Sequence, residues 1–405
     1  MKPIVRAERM KPVHSDIRGP LFVEAMKRQK QGIDILKLNT GNPATFGFGL
    51  PDSIKNALME HMQDGVGYCD FKGMPQARQA ICDYETSKGI KGITPDDVFI
   101  GNGVSEVVSF ALTPLLNDGD EVLVPSPSYS LWGNSVYLED GKPVFYTCDE
   151  QANWYPDIQD IRSKITDKTK AIVIINPNNP TGVLYPKEIL LEIIQVAREF
   201  GLLIFADEIY DRLVMDGKQH ISLASLTEDV PVITLNGLSK SHCLCGYRCG
   251  WMVISGPREL TEDYRQGIIQ LTSLRLCANT MAQIVIPAAL DDMDTPASMV
   301  RPGGRIYEQR EATVRELEKI DGLSFVKNDA AFYVFPKLDV KKFNITNDKQ
   351  FAHDLLDATN ILLVPGSGFD WKDPDHFRIV MLPQADVLSD AIRRMGTFLD
   401  GYKQK

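Results

Sequence analysis

The feature that most constrains the fold is a set of three short apolar runs at regular spacing. They occupy residues 171–175 (AIVII), 202–206 (LLIFA) and 232–235 (VITL). None of them alternates between apolar and polar residues in the way of a half-exposed strand, and such runs are typical of strands buried on both faces of a parallel sheet. The runs are separated by about 30 residues, the length of one strand-helix-strand unit. The sequence therefore predicts consecutive strands of a parallel sheet.

A polar motif follows each of the three runs. The motifs are NPNNPTG at 176–182, ADEIY at 206–210, and the serine and lysine at 239–240. Asn179 and Asp207 are 28 positions apart, and Asp207 and Lys240 are 33 apart. Ligands bind at the carboxyl ends of the strands in an open parallel sheet. The three motifs are therefore predicted to form one site for a small molecule.

The composition excludes several classes of protein. Of 405 residues, 43% are hydrophobic and 24% are charged, which is ordinary for a globular protein long enough to form two domains. The formal charge of −10 argues against a nucleic-acid partner, which favours a basic surface. No apolar stretch approaches the roughly 18 residues that span a bilayer, and the N-terminal segment lacks the apolar core of a secretory signal. We expect a cytoplasmic protein with no membrane partner.

The cysteines predict neither a disulfide framework nor a metal site. There are seven of them, scattered and odd in number, which suits a reducing compartment. The one cluster, His242, Cys243, Cys245 and Cys249, lacks the second pair of ligands that a structural zinc site shows. Small, weakly polar packing beside Lys240 is the better interpretation of this cluster.

The pattern of segments changes along the chain. Strand-like and helix-like segments alternate from about residue 97 to residue 256, which indicates a doubly wound α/β domain. After the turn-rich residues 291–296, a charged helix and several short apolar runs indicate a smaller α+β domain. We expect a large domain at 46–294 and a discontinuous small domain made of 1–45 and 295–405.

Taken as a set, the motifs resemble those of class I aminotransferases of the fold-type I pyridoxal-phosphate family, over nearly the whole chain. In order, they are GNP at 41–43, GNG at 101–103, NPNNPTG, DEIY, the serine-lysine pair, Arg248, and FR at 377–378. The resemblance implies an α/β enzyme with a mostly parallel, seven-stranded sheet in its large domain, a smaller α+β domain, and pyridoxal 5′-phosphate as cofactor.

The resemblance gives the central motif residues catalytic roles. Lys240 would join the cofactor aldehyde as a Schiff base and then carry a proton between the substrate and the cofactor. Asp207 would keep the pyridine nitrogen protonated, so that the ring can accept electrons. Asn179 and Tyr210 would hydrogen-bond the phenolic oxygen of the cofactor. Outside this context, Asp207 would be an ordinary helix cap and the Asn-Pro motif simple turn chemistry.

Further residues would hold the rest of the cofactor. Tyr129 would stack on the pyridine ring. Residues 101–105 lead from a strand into a helix, where backbone amides bind phosphate well. The implied phosphate ligands are Gly103, Val104, Ser105, Ser239 and Arg248, with Tyr68 reaching over from the neighbouring subunit. The Tyr68 match implies a homodimer with shared active sites.

Substrate binding would depend on Arg378, which matches the family arginine that holds the α-carboxylate, with help from Gly41 and Asn179. A planar guanidinium suits a planar carboxylate better than a lysine does. The second carboxylate of glutamate could be received by Arg18, Lys72 or Arg275, and the sequence leaves these three open.

Two stretches, DIRGP at 16–20 and SLRLCAN at 273–279, are similar to alanine aminotransferases. We therefore expect the transfer of the amino group of L-alanine to 2-oxoglutarate, giving pyruvate and L-glutamate, by a ping-pong mechanism that alternates pyridoxal and pyridoxamine forms. Two departures from the pattern are Gly237, where relatives often have a phosphate-binding serine, and Ser15, where bacterial alanine enzymes often have a tyrosine. The alternatives are an aminotransferase for aspartate, aromatic or branched-chain amino acids, a carbon–sulfur β-lyase, and a non-enzymatic regulator that binds the same cofactor.

Overall fold

The computed structural model describes residues 2–405. Its strands, numbered in chain order, are β1 (Leu36–Lys37), β2 (Val98–Asn102), β3 (Glu121–Ser126), β4 (Lys142–Asp149), β5 (Tyr155–Pro156), β6 (Thr169–Ile175), β7 (Leu203–Asp207), β8 (Val232–Gly237), β9 (Cys249–Ser255), β10 (Leu323–Ser324), β11 (Tyr333–Val334), β12 (Lys337–Leu338), β13 (Ile361–Leu362), β14 (Val364–Pro365) and β15 (Phe377–Val380).

The α-helices, also in chain order, are α1 (Pro20–Lys30), α2 (Asp52–His61), α3 (Pro75–Ser87), α4 (Val104–Leu112), α5 (Leu131–Leu138), α6 (Ile158–Lys164), α7 (Lys187–Phe200), α8 (Leu238–Ser241), α9 (Arg258–Arg275), α10 (Thr280–Ile284), α11 (Ile286–Asp291), α12 (Asp294–Val300), α13 (Arg305–Leu317), α14 (Val340–Phe343), α15 (Asp348–Thr359) and α16 (Ala385–Asp400). Short 3-10 helices cover Glu8–Met10, Pro43–Phe46, Met62–Gly65, Pro95–Asp97, Glu150–Ala152, Leu223–Leu226, Cys245–Tyr247 and Gly366–Phe369.

The largest sheet has the strand order β2-β9-β8-β7-β6-β3-β4-β5. The pairs from β8 to β4 are parallel, whereas β9 is antiparallel to both of its neighbours and β5 is antiparallel to β4. The three apolar runs lie in the neighbouring strands β6, β7 and β8, which confirms the predicted parallel sheet. The sheet has eight strands rather than the expected seven. The two-residue β5 is too short to give an apolar run in the sequence.

Both faces of this sheet are buried, as the lack of alternation predicted. In β6, Ile172 and Ile174 belong to one hydrophobic cluster, and Ala171, Val173 and Ile175 belong to another. Successive side chains of a strand point to opposite faces, so these two clusters lie on the two sides of the sheet. Helix α7 packs its apolar side chains into the first cluster and α4 into the second.

Small sheets form a second layered region in the C-terminal part of the chain. Strands β11, β15 and β14 form an antiparallel sheet, and a separate cluster of buried side chains packs it against α13, α15 and α16. Strand β1, near the N-terminus, pairs in parallel with β13. This pairing agrees with a small domain built from both ends of the chain, and the boundaries 1–45, 46–294 and 295–405 stay a prediction.

Among residues 2–405, no single helix combines the length and apolar character needed to cross a bilayer. The helix Arg258–Arg275 and the segment Thr280–Asp291, bent by 118° at their junction, meet that test only as a pair and only by length and composition.

Candidate active site

The polar motifs meet at one edge of the large sheet. Strand β7 ends at Asp207, whose Cα pairs with Ile175 at the end of β6 on one side and with Leu235 of β8 on the other. Strand β8 continues to Gly237 and then directly into α8, the short helix that carries Lys240. The backbone therefore brings the carboxyl ends of these neighbouring strands together at one edge of the sheet.

The carboxylate of Asp207 is buried and has few partners. The side chain is 5% exposed, and it accepts hydrogen bonds from the indole Nε1 of Trp132 at 3.1 Å and from the Ile209 amide at 3.4 Å. Burial raises the pKa of Asp207 to about 6, although the Trp132 hydrogen bond opposes the rise. Such a carboxylate favours a cationic partner, because a positive charge beside it offsets the cost of burying its own charge.

Trp132 is a site residue that the sequence reasoning missed. It lies in the first turn of α5, three residues after Tyr129. Tyr129 lies just before this helix, and the Trp132 amide donates to its carbonyl oxygen at 3.4 Å, so the predicted role of Tyr129 could have directed attention to this indole. Tyr129 itself is 36% exposed.

The amine of Lys240 is held without a carboxylate partner. Its Nζ donates to the carbonyl oxygen of Gly41 at 2.9 Å, and in the part of the chain that the structure describes no carboxylate oxygen lies within 4 Å. Burial opposes the charge on this amine, but Tyr333, Cys245 and Tyr129 outweigh burial and raise the pKa of Lys240. The amine is therefore held in its protonated form, and it must lose that proton before it can act as a nucleophile.

Two tyrosine hydroxyls meet beside the lysine. The hydroxyls of Tyr210 and Tyr333 are 2.8 Å apart, and both side chains are buried. A Cβ atom added at Gly41 would overlap the Tyr333 hydroxyl, so the close approach requires glycine there. Tyr333 was not predicted, because in the apolar run 330–335 it is indistinguishable from a core residue.

The guanidinium of Arg378 is buried and also lacks a carboxylate. It donates from Nη1 to Asn179 Oδ1 at 2.9 Å and from Nη2 to the carbonyl of Asn39, and the rings of Tyr333 and Phe369 lie 4.6 Å from its Cζ. Its Nε has no hydrogen-bond partner within residues 2–405. Arg378 is 1% exposed, and burial lowers its pKa. A buried cation with an unused donor is suited to bind an incoming carboxylate.

A cradle for an anion lies at the start of α4. Gly103 precedes this helix with a φ of +84°, and the guanidinium of Arg248 lies so close that a Cβ atom on Gly103 would be 2.7 Å from Arg248 Cζ. The amides of Val104 and Ser105 stand in the first helical turn, where no i−4 carbonyl is available to them. Helix amides and a guanidinium together suit a phosphate.

The comparisons with known proteins agree with this geometry. Residues 33–394 match the family model "Aminotransferase class I and II". The chain is 49% identical over 404 residues to the glutamate–pyruvate aminotransferase AlaA of Haemophilus influenzae, with 100% of each chain covered. It is 45% identical to the alanine aminotransferase of Mycobacterium tuberculosis H37Rv, covering 100% of this chain and 94% of the relative. The solved structure of an aminotransferase from Escherichia coli superposes with a TM-score of 0.98 at 46% identity, with 100% of both chains covered.

The chain belongs to the class I and II aminotransferases. This family depends on pyridoxal phosphate, and the donor set of this aminotransferase fits that cofactor. Asp207 is a buried carboxylate that favours a cationic partner, Lys240 is a half-buried amine with no ion pair among the described residues, and the Gly103 cradle supplies donors for a phosphate. The resemblance seen in the sequence is thereby confirmed for the family, the fold class and the cofactor.

A buried ion cluster supports the turn that carries Asp207 and Tyr210. Glu208 and Asp211, between and after these residues, accept from Lys88 Nζ of the segment after α3, at 2.7 and 3.2 Å. Asp211 also accepts from the side-chain amide of Asn236 at 2.7 Å. The cluster therefore ties the turn after β7 to the end of β8. A lysine 120 positions from its partner carries no local signal, so the sequence reasoning missed it.

The three cations proposed for a distal carboxylate have different surroundings. Arg275 is bound to Glu106 at 2.6 Å and to two backbone carbonyls, and Lys72 donates to the backbone carbonyl of Asp96 at 3.1 Å. Arg18 is exposed and lines a cavity of about 420 Å³, together with Lys37, Thr40, Asn42 and Phe46, next to Gly41. Of the three, Arg18 alone has no carboxylate within 4 Å in residues 2–405.

The remaining predicted residues occupy more open positions. Ser239 is half-buried, and its backbone carbonyl accepts from the thiol of Cys245 at 3.0 Å. Ser105 is exposed in the first turn of α4. Tyr68 is 84% exposed and has no hydrogen bond among the described residues. The structure therefore does not join Tyr68 to the cluster around Lys240 within one chain.

Replacement of Gly103 by alanine tests the phosphate cradle. The new methyl group would displace Arg248, so we expect affinity for pyridoxal phosphate to fall by about tenfold or more, the loss of one charge-assisted contact. Gly47→Ala is the matched control, because Gly47 has a similar φ of +78° and nothing within 4 Å of an added Cβ atom. Titration of the cofactor-free protein, followed by visible absorption, gives both affinities. Equal affinities in the two variants would place the phosphate elsewhere.

Proposed function

We propose that this aminotransferase moves the amino group of L-alanine to 2-oxoglutarate, giving pyruvate and L-glutamate. Support comes from relatives that are similar to this chain over nearly its full length and are named glutamate–pyruvate and alanine aminotransferases. The observation that carries the proposal is the buried guanidinium of Arg378, which has an unused donor and no carboxylate partner. Both amino acids and both oxo acids in this reaction present an α-carboxylate to such a group.

The central residues divide the chemistry among them. When bound, the cofactor supplies a ring that accepts the electron pair left at the substrate Cα after loss of its proton. Lys240 Nζ would take that proton and return it, since no carboxylate among the described residues holds its amine. The Asp207 carboxylate would keep the ring nitrogen protonated through its negative charge, and Tyr210 and Asn179 would donate hydrogen bonds to the phenolic oxygen.

Further residues would hold the phosphate and the ring of the cofactor. The phosphate would be held by the amides at Gly103, Val104 and Ser105, by Arg248 and by Ser239. Tyr129 would cover the ring. Gly237, where relatives often have a serine, cannot contribute a hydroxyl, and a Cβ atom there would be 2.5 Å from the Cys249 carbonyl. The tight packing of β8 on β9 therefore favours glycine at this position.

Substrate recognition uses Arg378 for the α-carboxylate of each substrate in turn, with Asn179 orienting the guanidinium and Gly41 closing the approach from the other side. We assign the distal carboxylate of glutamate to Arg18. The other two candidates are less suited, because Arg275 is neutralised by Glu106 and Lys72 is held by the backbone of Asp96.

We also propose that two copies of the chain form a homodimer with shared active sites, located in the cytoplasm. Tyr68 is exposed beside the exposed apolar side chains Val66, Met62 and Met59, a surface suited to a second copy. All seven cysteines are free, which agrees with a reducing compartment.

Visible absorption of the loaded protein tests the reaction. Addition of L-alanine alone should bleach the band of the cofactor joined to Lys240, and subsequent addition of 2-oxoglutarate should restore it, because each half-reaction is complete in itself. Lys240→Arg serves as the control that cannot form this band. A band that L-alanine leaves unchanged would contradict the proposed amino donor. Release of pyruvate and ammonia from an S-substituted cysteine, in the absence of an oxo acid, would indicate the carbon–sulfur β-lyase instead.

Tyr68→Phe tests the shared site. In the proposed dimer the lost hydroxyl removes a phosphate contact, so we expect binding of pyridoxal phosphate to weaken by about tenfold or more, the value of one hydrogen bond to a charged group. Tyr402→Phe, which loses a hydroxyl bound to Asp354 in the C-terminal region, is the control. Unchanged affinity, or a monomer by sedimentation at the concentrations used for activity, would contradict the shared site.

A further inference from the structure

A buried histidine joins the two sheet regions next to Arg378. His376 is fully buried just before β15. Its Nδ1 lies 2.6 Å from Asp375 Oδ1, and its Nε2 lies 3.5 Å from Glu150 Oε1. Lys337 Nζ lies 2.6 Å from Glu150 and 3.5 Å from Asp375. Two carboxylates, one lysine and one imidazole therefore share a single buried cluster.

The members of this cluster come from different layers of the molecule. Glu150 follows β4 of the eight-stranded sheet directly. Lys337 begins β12, and Asp375 and His376 lead into β15 of the three-stranded sheet. The ion pairs thus connect the large sheet to the strand that carries Arg378, over a sequence separation of more than 180 residues.

An aromatic stack extends from His376 to Arg378. The imidazole is stacked on Phe335, with ring centroids 4.8 Å apart and planes inclined by 19°. Phe335 meets the ring of Phe369 edge-on at 6.0 Å, and Phe369 lies 4.6 Å below the Arg378 guanidinium. A displacement of the imidazole would therefore displace Phe335 and Phe369 in turn, and through them the guanidinium of Arg378.

The backbone provides a second connection. Residues two apart in a strand point to the same face, so His376 and Arg378 are neighbours on one side of the β15 segment. The amide of Gly366 donates to the His376 carbonyl at 2.8 Å, and Val364 is paired with Arg378. Fixing His376 thereby also fixes the direction in which Arg378 leaves the strand.

We propose that His376 is a positioning residue for substrate binding. As an imidazolium between Asp375 and Glu150, it holds β15 against the eight-stranded sheet and orients Arg378 toward the substrate carboxylate. The inference rests on the role of Arg378 in the proposed function, and it adds a pH-dependent element to that role.

The charges around His376 set the direction of the pH dependence. Burial lowers the pKa of His376, but the hydrogen bond to Asp375 and the negative charges of Asp375 and Glu150 outweigh burial and raise it above the usual 6.5. The pKa of Asp375 is about 2 and that of Glu150 is lowered, because His376 and Lys337 overcome the effect of burial. The cation is therefore fully present below pH 6.5 and is lost as pH rises through its folded pKa. Affinity for carboxylate substrates should fall on the alkaline side.

His376→Gln and Glu150→Gln test the proposal from the two sides of the cluster. For each variant we expect KM for L-alanine and for 2-oxoglutarate to rise by about tenfold, with kcat and cofactor absorption nearly unchanged, since the cluster acts on orientation of one binding group. The alkaline rise in KM of the wild type should disappear in His376→Gln and should move to lower pH in Glu150→Gln, where the imidazole still titrates beside Asp375. The double variant should behave like either single one, because the two residues act as a unit.

His353→Gln is the matched control. His353 also lies between two carboxylates, Glu24 at 3.2 Å and Asp357 at 3.3 Å, but it is 40% exposed on α15 and has no stack leading to Arg378. Its replacement should leave KM unchanged. Glu150→Gln keeps the imidazole in place, so it carries the test if loss of His376 prevents folding.

Several results would overturn the proposal. These are an unchanged KM in Glu150→Gln, an equal loss in kcat and cofactor binding, or the same effect in His353→Gln. Failure of the proposed function would be visible separately, as wild-type protein that L-alanine does not bleach. In that case the comparison of the variants uses the amino acid that does bleach the wild type.

Discussion

The site depends on one costly arrangement, a carboxylate buried at the end of a parallel strand and paired with no cation among residues 2–405. Asp207 stands at the carboxyl end of β7, flanked by β6 and β8, where water is excluded by strands buried on both faces. Its two hydrogen bonds, from Trp132 and from the Ile209 amide, reduce the cost of burial but leave its pKa near 6. In the proposed function, a protonated ring nitrogen of the cofactor would supply the positive charge beside this carboxylate.

The buried charges of this protein fall into two groups with different functions. In the turn that follows β7 and beside β15, charged side chains are paired within the protein: Lys88 with Glu208 and Asp211, and His376 with Asp375. In the candidate active site, by contrast, Lys240 and Arg378 lack carboxylate partners within the described residues. Paired buried charges fix the positions of the groups around them. An unpaired charge instead gains its partner when a ligand of opposite charge binds, which favours binding. The paired group therefore supports the orientation of the unpaired group.

Much of this could be predicted from the sequence, because buried parallel strands leave a local signal and their spacing implies that their ends meet. Strands β6 to β8, and the convergence of Asp207 with Lys240, follow from that reasoning. The family resemblance added Arg378 and Arg248. Trp132 and Tyr333 were missed because an aromatic residue near a site looks the same in sequence as one in the core. Lys88 and His376 were missed because the carboxylates of Glu208 and Glu150, which they contact, are more than 100 positions away, and β5 is too short to give a pattern.

The most direct test of this account is the titration of the Asp207 carboxyl group, followed by carbon-13 NMR and assigned by comparison with Asp207→Asn. In the protein without cofactor, the account predicts a pKa of about 6, because burial disfavours the charged form. With pyridoxal phosphate bound, the carboxylate should stay ionised well below pH 6, because the protonated ring nitrogen beside it favours the charge. An ordinary pKa near 3.8 without cofactor, or a titration that cofactor binding leaves unchanged, would contradict the account.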